Sequence, residues 1–233
     1  MKPAPGPDLD AYDRFLVVCA HPDDESFGLG AIIAGLAGRG ADVDLVCLTR
    51  GEHSTLGAGD DLGLRRAEEL ACAAKVLGIR EVGIRDHPDG DLAAVAMEDL
   101  VADVELALGE PVGPTALLTF DTGGITGHPD HEAATRAAVA AGRHQDLPVF
   151  AWAIAESVAR RLRDEFGVPF VGRPEGELIE LRVDRDAQLA ATDCHGSQLL
   201  DNPVPRRRVE LQGGVEHLRV LHRPANAIET PRR

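Results

Sequence analysis

The chain has 233 residues, 39 acidic against 24 basic side chains, a formal net charge of −15 and 44% hydrophobic residues. That length suits one α/β domain, and the acidic excess argues against nucleic acid and anionic membrane surfaces as partners, since both require a basic face. No stretch approaches the ~20 apolar residues of a membrane span, so a cytoplasmic location is the default expectation.

In chain order, residues 1–13 form a Pro-rich lead-in without the apolar run of a signal peptide, expected to be flexible. Residues 15–20 (Phe-Leu-Val-Val-Cys-Ala) are continuously apolar, as in a strand buried on both faces. A helix is expected over 27–38, a second strand over 43–48 and a polar, Gly-rich loop over 50–61. Residues 64–77 have helical periodicity, with Gly78 as the stop. A short strand at 81–84, a helix over 91–108, a strand at 116–120, an Ala-rich helix over 130–141, a strand at 149–154 and a weaker helix over 157–165 follow. Beyond residue 168 the pattern changes to a strand at 177–183 and a helix over 184–194. Residues 209–221 read as two strand-like arms around Gly213-Gly214, a hairpin signal, before a loose tail at 224–233. The alternation predicts an α/β fold, a mostly parallel sheet with helices on both faces, formed by one domain over 14–223, plus a C-terminal β-hairpin. In such folds ligands bind at the carboxyl ends of the strands.

Two strands run straight into clusters of histidine and acid. One gives His21-Pro-Asp-Asp-Glu25 and the other Asp121-Thr-Gly-Gly-Ile-Thr-Gly-His128-Pro-Asp-His131, and each cluster opens a helix. One such run is often only a turn with a helix cap. Two at the same edge of a sheet are hard to assign to capping. His21 and Asp24, three residues apart around Pro22, can converge on one ion, and His131 can supply a third ligand. Imidazole and carboxylate suit Zn2+, with Fe2+ or another divalent ion open, and three protein ligands leave a position for water. Asp23 is then free to act as general base, His128 to donate to an oxygen that gains charge, and Asp130 to hydrogen-bond an imidazole. The third run, His87-Pro-Asp-Gly90, reads as a turn at the rim.

On Ala20-His-Pro-Asp-Asp-Glu25 and Gly127-His-Pro-Asp-His131, the sequence resembles the PIG-L/LmbE family of zinc-dependent deacetylases. The resemblance extends through Leu48-Thr-Arg-Gly-Glu52, Arg65-Arg-Ala-Glu-Glu-Leu70, Pro88-Asp-Gly90 and His195-Gly-Ser-Gln198. It implies His21, Asp24 and His131 as zinc ligands, Asp23 as general base, and His128 with Asp130 assisting the oxyanion or leaving group. It further implies Arg66 and Asp89 as the residues that hold the sugar or its aglycone, and a Rossmann-like three-layer sandwich as the fold. The expected activity is removal of an N-acetyl group from an amino-sugar conjugate. An amidase for a larger acyl group, or a non-catalytic sugar-binding relative, stands as the alternative. Some sugar-deacetylating members carry a Tyr before Gly-His-Pro-Asp-His, where this chain has Thr126. The expected partner is a small N-acylated sugar conjugate, and a homo-oligomer stays open.

Other motifs read as structural. Gly28-Leu-Gly30 lacks the third glycine of a dinucleotide loop, where Ile33 stands, and suits close packing of the first helix. Ser26 and Ser157 have no nucleophile-elbow context. Trp152 reads as core and Arg206-Arg-Arg208 as a solvated turn. Cys19, Cys47, Cys72 and Cys194 form no C-x-x-C pair and read as buried thiols of a reducing compartment.

Overall fold

A computed structural model of the protein describes residues 9–57, 59 and 61–225. Most of the expected lead-in and tail, residues 1–8 and 226–233, lie outside the described residues. Residues Leu9–Ala11 form a 3-10 turn, and the Tyr12 ring meets Phe15 and Phe150 edge-on, with centroids at 6.1 and 5.7 Å.

The strands are β1 (Arg14–Cys19), β2 (Asp42–Thr49), β3 (Glu81–His87), β4 (Thr115–Phe120), β5 (Val149–Ala155), β6 (Gly172–Arg173), β7 (Ile179–Arg182) and β8 (Val215–His222). The helices are α1 (Asp24–Phe27), α2 (Gly30–Gly38), α3 (Leu62–Leu77), α4 (Met97–Leu108), α5 (Gly124–Gly127), α6 (Pro129–His144), α7 (Glu156–Phe166), α8 (Asp186–Cys194), α9 (Gly196–Leu199) and α10 (Val204–Gln212). The main sheet runs β3-β2-β1-β4-β5-β8-β7, parallel from β3 to β5 and antiparallel at β5–β8 and β8–β7.

Alternation along β1 divides the core. Phe15, Val17 and Cys19 face α2 and α3, whereas Leu16, Val18 and Ala20 face α4 and α6. On the second face Ala133, Ala134, Ala137, Ala138 and Ala141 of α6 are fully buried, so that helix packs closely on the sheet. Gly78 ends α3 at φ 77°, the left-handed cap conformation. The chain reverses direction around the sheet between β1 and β4, and both acid-and-histidine clusters leave the carboxyl ends of these two strands. That switch point is where an open α/β sheet presents a crevice.

Four expectations need correction. The helix expected over 27–38 is split, with α1 carrying the first turn and α2 starting at Gly30. The C-terminal antiparallel pair exists, but its first arm is β7; residues 209–212 belong to α10. Four residues are too short a run to fix the period, and Pro205 in the first turn of α10 suits a helix start. Arg208 is not in a solvated turn: it is buried, pairs with Glu216 at 2.9 Å and stands 5.0 Å over the Trp152 ring. Finally, Cys72 and Cys194 are not two separate thiols. They form a disulfide between α3 and the end of α8, with Cα atoms 5.9 Å apart, whereas Cys19 and Cys47 are free and buried.

That disulfide closes a sequence separation of 122 residues, so it removes much conformational freedom from the unfolded chain. Cys72→Ser is expected to lower unfolding free energy by ~2–4 kcal/mol. Denaturant titration of the variant beside the parent checks this; coincident midpoints would remove any stabilising role for the bond.

Candidate active site

His21 follows β1, and its ring nitrogens have different neighbours. Nε2 lies 3.2 Å from Asp130 Oδ2 and 3.1 Å from Asp89 Oδ1, so it donates to carboxylate. The Nδ1 lone pair is thereby left facing His131. His131, in the first turn of α6, donates from Nδ1 to the Gly124 carbonyl at 3.1 Å, which turns its Nε2 lone pair towards His21. The two nitrogens stand 3.2 Å apart. Asp24 Oδ2 accepts from the Ala20 and His21 N–H groups at 3.0 and 2.9 Å, and its Oδ1 lies 3.1 Å from His131 Nε2.

This donor set fits a divalent cation. Two imidazole lone pairs and a carboxylate oxygen aimed at one point repel one another unless a positive charge lies between them. His131 Nε2 stands 3.1 Å from Asp24 Oδ1 and 3.2 Å from His21 Nδ1, close to the ~3.3 Å edge of a tetrahedron with 2.0–2.1 Å metal bonds. The residues behind the donors complete the pattern. Asp130 is fully buried, contacts His21 and accepts from the Gly90 and Leu92 N–H groups at 2.7 and 3.1 Å, tying the loop after β3 to the site. A second set of groups, His21, His128 and Asp130, also lies close enough to share an ion. Its Asp130 oxygens are already committed to backbone N–H groups, so the first set is the better one.

Electrostatics point the same way. Burial disfavours a charged His21, but the Asp130 and Asp89 carboxylates outweigh it and raise its pKa to about 10. Burial likewise opposes ionisation of Asp24, yet His131 and His21 hold its carboxyl well below the ordinary range. The carboxylates around His21 thus favour positive charge at this point, whether a proton on the imidazole or a cation beside it. Burial, aided by Asp24, lifts the neighbouring Asp23 to about 6 against the pull of Arg66.

His128 caps α6, and its Nδ1 accepts from the Asp130 N–H at 3.2 Å. That bond places its proton on Nε2, making the ring a donor there. Burial and the neighbouring His131 and His21 lower its pKa, which favours the neutral ring. Its ring stacks on His131, with centroids 5.0 Å apart.

Two strained residues adjoin this group. Asp23 has φ 136° and Ile125 has φ 62°, conformations that L side chains avoid at a cost of ~1–3 kcal/mol each and that cluster at functional sites. The Ile125 carbonyl is held by the Val171 N–H at 2.6 Å.

Arg66 is brought to the site, but mainly against protein. Its Nη2 donates to the Pro22 carbonyl at 2.6 Å and its Nη1 to that of Gly51 at 2.7 Å, and it stands 3.2 Å from Asp23 Oδ2. Asp89, expected at the rim, is buried and in contact with His21.

These groups open into a cavity of about 530 Å³. Its polar wall includes His53, Ser54, Asp89, Gln198 and Asn202, and its apolar wall Phe120, Ile125, Trp152, Val168, Phe170 and Val204. Trp152 is thus both core and wall; its Nε1 donates to Glu216 at 2.7 Å. A Cβ on Gly28 would lie 2.9 Å from both Phe120 and Trp152, so the glycine permits the close packing expected of it. His53 carries no motif in the sequence; its N–H donates to Asp89 Oδ2 at 2.8 Å, and its loop joins Gln198 through Ser54 Oγ at 2.8 Å. The available signal was position, since that loop follows β2 at the same sheet edge.

Among the described residues, no helix is long and apolar enough to cross a membrane. Residues 16–142 match the family model described as PIG-L, GlcNAc-PI de-N-acetylase. A 1D-myo-inositol 2-acetamido-2-deoxy-alpha-D-glucopyranoside deacetylase of Kineococcus radiotolerans is 31% identical, with 92% of this chain and 79% of that protein aligned. The zinc-inhibited form of teicoplanin deacetylase Orf2 shares the fold at a TM-score of 0.65 and 20% identity, covering 92% of this chain and 100% of that one. GalB, the 4-carboxy-2-hydroxymuconate hydratase of Pseudomonas putida KT2440, does so at 0.62 and 20%, covering 90% and 96%. A hydratase and a deacetylase on one fold mean that the site, not the fold, must carry the reaction. The family model spans more than half of the chain, over both clusters that build the site, and the protein belongs to the PIG-L family.

Proposed function

We propose that the protein removes the N-acetyl group of an N-acetylglucosamine-type conjugate, with Zn2+ held by His21, Asp24 and His131. The observation that carries this reading is the convergence of two imidazole nitrogens and a carboxylate oxygen beside an acid outside that donor set, Asp23, and a neutral donor, His128. A bound divalent cation supplies Lewis acidity there and eases deprotonation of water. The remaining work belongs to side chains. Asp23 accepts the proton lost by the attacking water. His128 Nε2–H donates to the amide oxygen as it gains charge. Asp23, now protonated, returns its proton to the nitrogen as the C–N bond breaks, giving acetate and the free amine. Asp130 and Asp89 keep the His21 ring in its tautomer, and Arg66 restrains the Asp23 carboxylate. Asp89 and the adjoining polar wall suit sugar hydroxyls. A purely sugar-binding relative has no use for a base of raised pKa beside the cation site.

The apolar wall favours one second reading, an amidase for a larger acyl group. An amine-release assay separates the two. N-acetylglucosaminyl-inositol and related N-acetylglucosaminides are compared with matched N-butyryl and N-benzoyl compounds. Preference for the acetyl series is the expected result, preference for the bulkier acyl groups favours the amidase, and no amine from any of them removes both.

A further inference from the structure

Asp23 does not hold its unusual backbone angle alone. Its N–H donates to Glu25 Oε2 at 3.0 Å, and its carbonyl accepts from the Ser26 and Phe27 N–H groups at 3.0 and 2.8 Å. Glu25 Oε1 accepts from Ser26 Oγ at 2.6 Å and from His195 Nε2 at 2.7 Å. Glu25 and His195 are fully buried, and neither lines the cavity. They therefore cannot reach a substrate except through another residue.

His195 comes from the end of α8, 170 positions along the chain from Glu25, and packs edge-on to Phe27 with centroids 5.7 Å apart. Its other nitrogen, Nδ1, is buried with no hydrogen-bond partner among the described residues. An unpartnered buried nitrogen destabilises a fold, and an apolar side chain of similar size would avoid the penalty. Among the described residues, the hydrogen bond that rewards an imidazole here is the one to Glu25. Glu25 in turn is the acceptor behind the strained peptide of Asp23.

We infer that Glu25 and His195 are a positioning pair: they fix the Asp23 backbone at positive φ and so aim its carboxylate at the reacting water. The inference rests on Asp23 being the general base. It differs from a packing role in what it moves, since misplacing a reacting group lowers turnover without weakening substrate binding.

The test compares His195→Leu with His195→Gln in the full-length, metal-loaded protein, and gives a crystal structure of each without metal. Gln keeps a side-chain N–H for Glu25; Leu does not. His195→Leu is expected to lose ~10- to 100-fold in kcat with KM within about two-fold, and His195→Gln to stay within about three-fold of the parent. Metal content is unchanged in both, and Asp23 leaves positive φ only in His195→Leu. Full kcat in His195→Leu, retained positive φ in that variant, or equal losses in both overturns the pair. Should His195→Leu fail to fold, Ser26→Ala removes another donor to Glu25 without opening a large cavity. A fall in kcat at constant KM is expected there too, and no fall overturns the proposal. Asp23→Asn distinguishes the two ideas: normal turnover in that variant removes the base assignment, whereas the φ of Asp23 in the His195 variants still reports whether the pair holds the backbone.

Discussion

Asp23→Asn is expected to lower kcat by roughly 10²- to 10⁴-fold, the usual worth of a positioned acid–base group, with its metal still bound. Asn has the same size and leaves His21, Asp24 and His131 untouched, so elemental analysis should find the parent's metal content beside the collapsed rate. Full activity in this variant would remove Asp23 from the mechanism. The pH profile supplies an independent check. Burial raises the Asp23 carboxyl to about 6, and it must be ionised to accept a proton. Activity is therefore present above that value and declines as pH falls through it. A cation close by draws a carboxyl pKa down, so in the loaded protein the acid limb falls at or below about 6. An identical limb in the residual activity of Asp23→Asn would assign it to another group.

His131→Ala is expected to weaken metal binding more than ~10²-fold, since even the partners behind a ligand are worth 10- to 100-fold. His131 Nε2 faces His21 and Asp24, and its ring has no other polar task beyond the Gly124 carbonyl that orients it. His128→Ala should behave oppositely. The His128 Nδ1 is used by the Asp130 N–H, which leaves Nε2–H as a donor and no lone pair for an ion. Its removal should cost ~10²- to 10³-fold in kcat, as for other donors to a developing oxyanion, with affinity little changed. Chelator competition measures the first quantity and steady-state rates the second. Equal affinities in the two variants would undo the division of labour between the two histidines.

Much of this architecture is legible in the sequence because its signals are local. The runs at 15–20, 116–120 and 149–154 are apolar on both faces, which only a strand covered by helices on both sides requires. The clusters that follow the first two of these runs sit at the one edge where the fold presents a crevice. What escaped depends on distance across the fold. Cys72 and Cys194 carry no spacing signal, because their proximity arises only when α3 and α8 pack together. The Arg206-Arg-Arg208 run looked uniformly solvated, but on a helix each residue turns by about 100° from the last, and only Arg208 is buried. Asp89 looked like a rim turn because β3 is only weakly apolar, although the strand continues to His87 and delivers Asp89 to His21. Glu25 reads as one more acid in an acidic turn until His195 is placed against it.

The two strained residues have a bearing on how this protein can change. At Asp23 and Ile125 the backbone sits where glycine is at ease and any other residue is not. Selection for stability alone would favour glycine at both places, easing ~1–3 kcal/mol of strain at each. At Asp23 that replacement would also delete the proposed base, and at Ile125 it would take a side chain from the pocket wall. Robustness and chemistry therefore pull in opposite directions at these two positions, and a descendant released from catalysis would be free to relax there first.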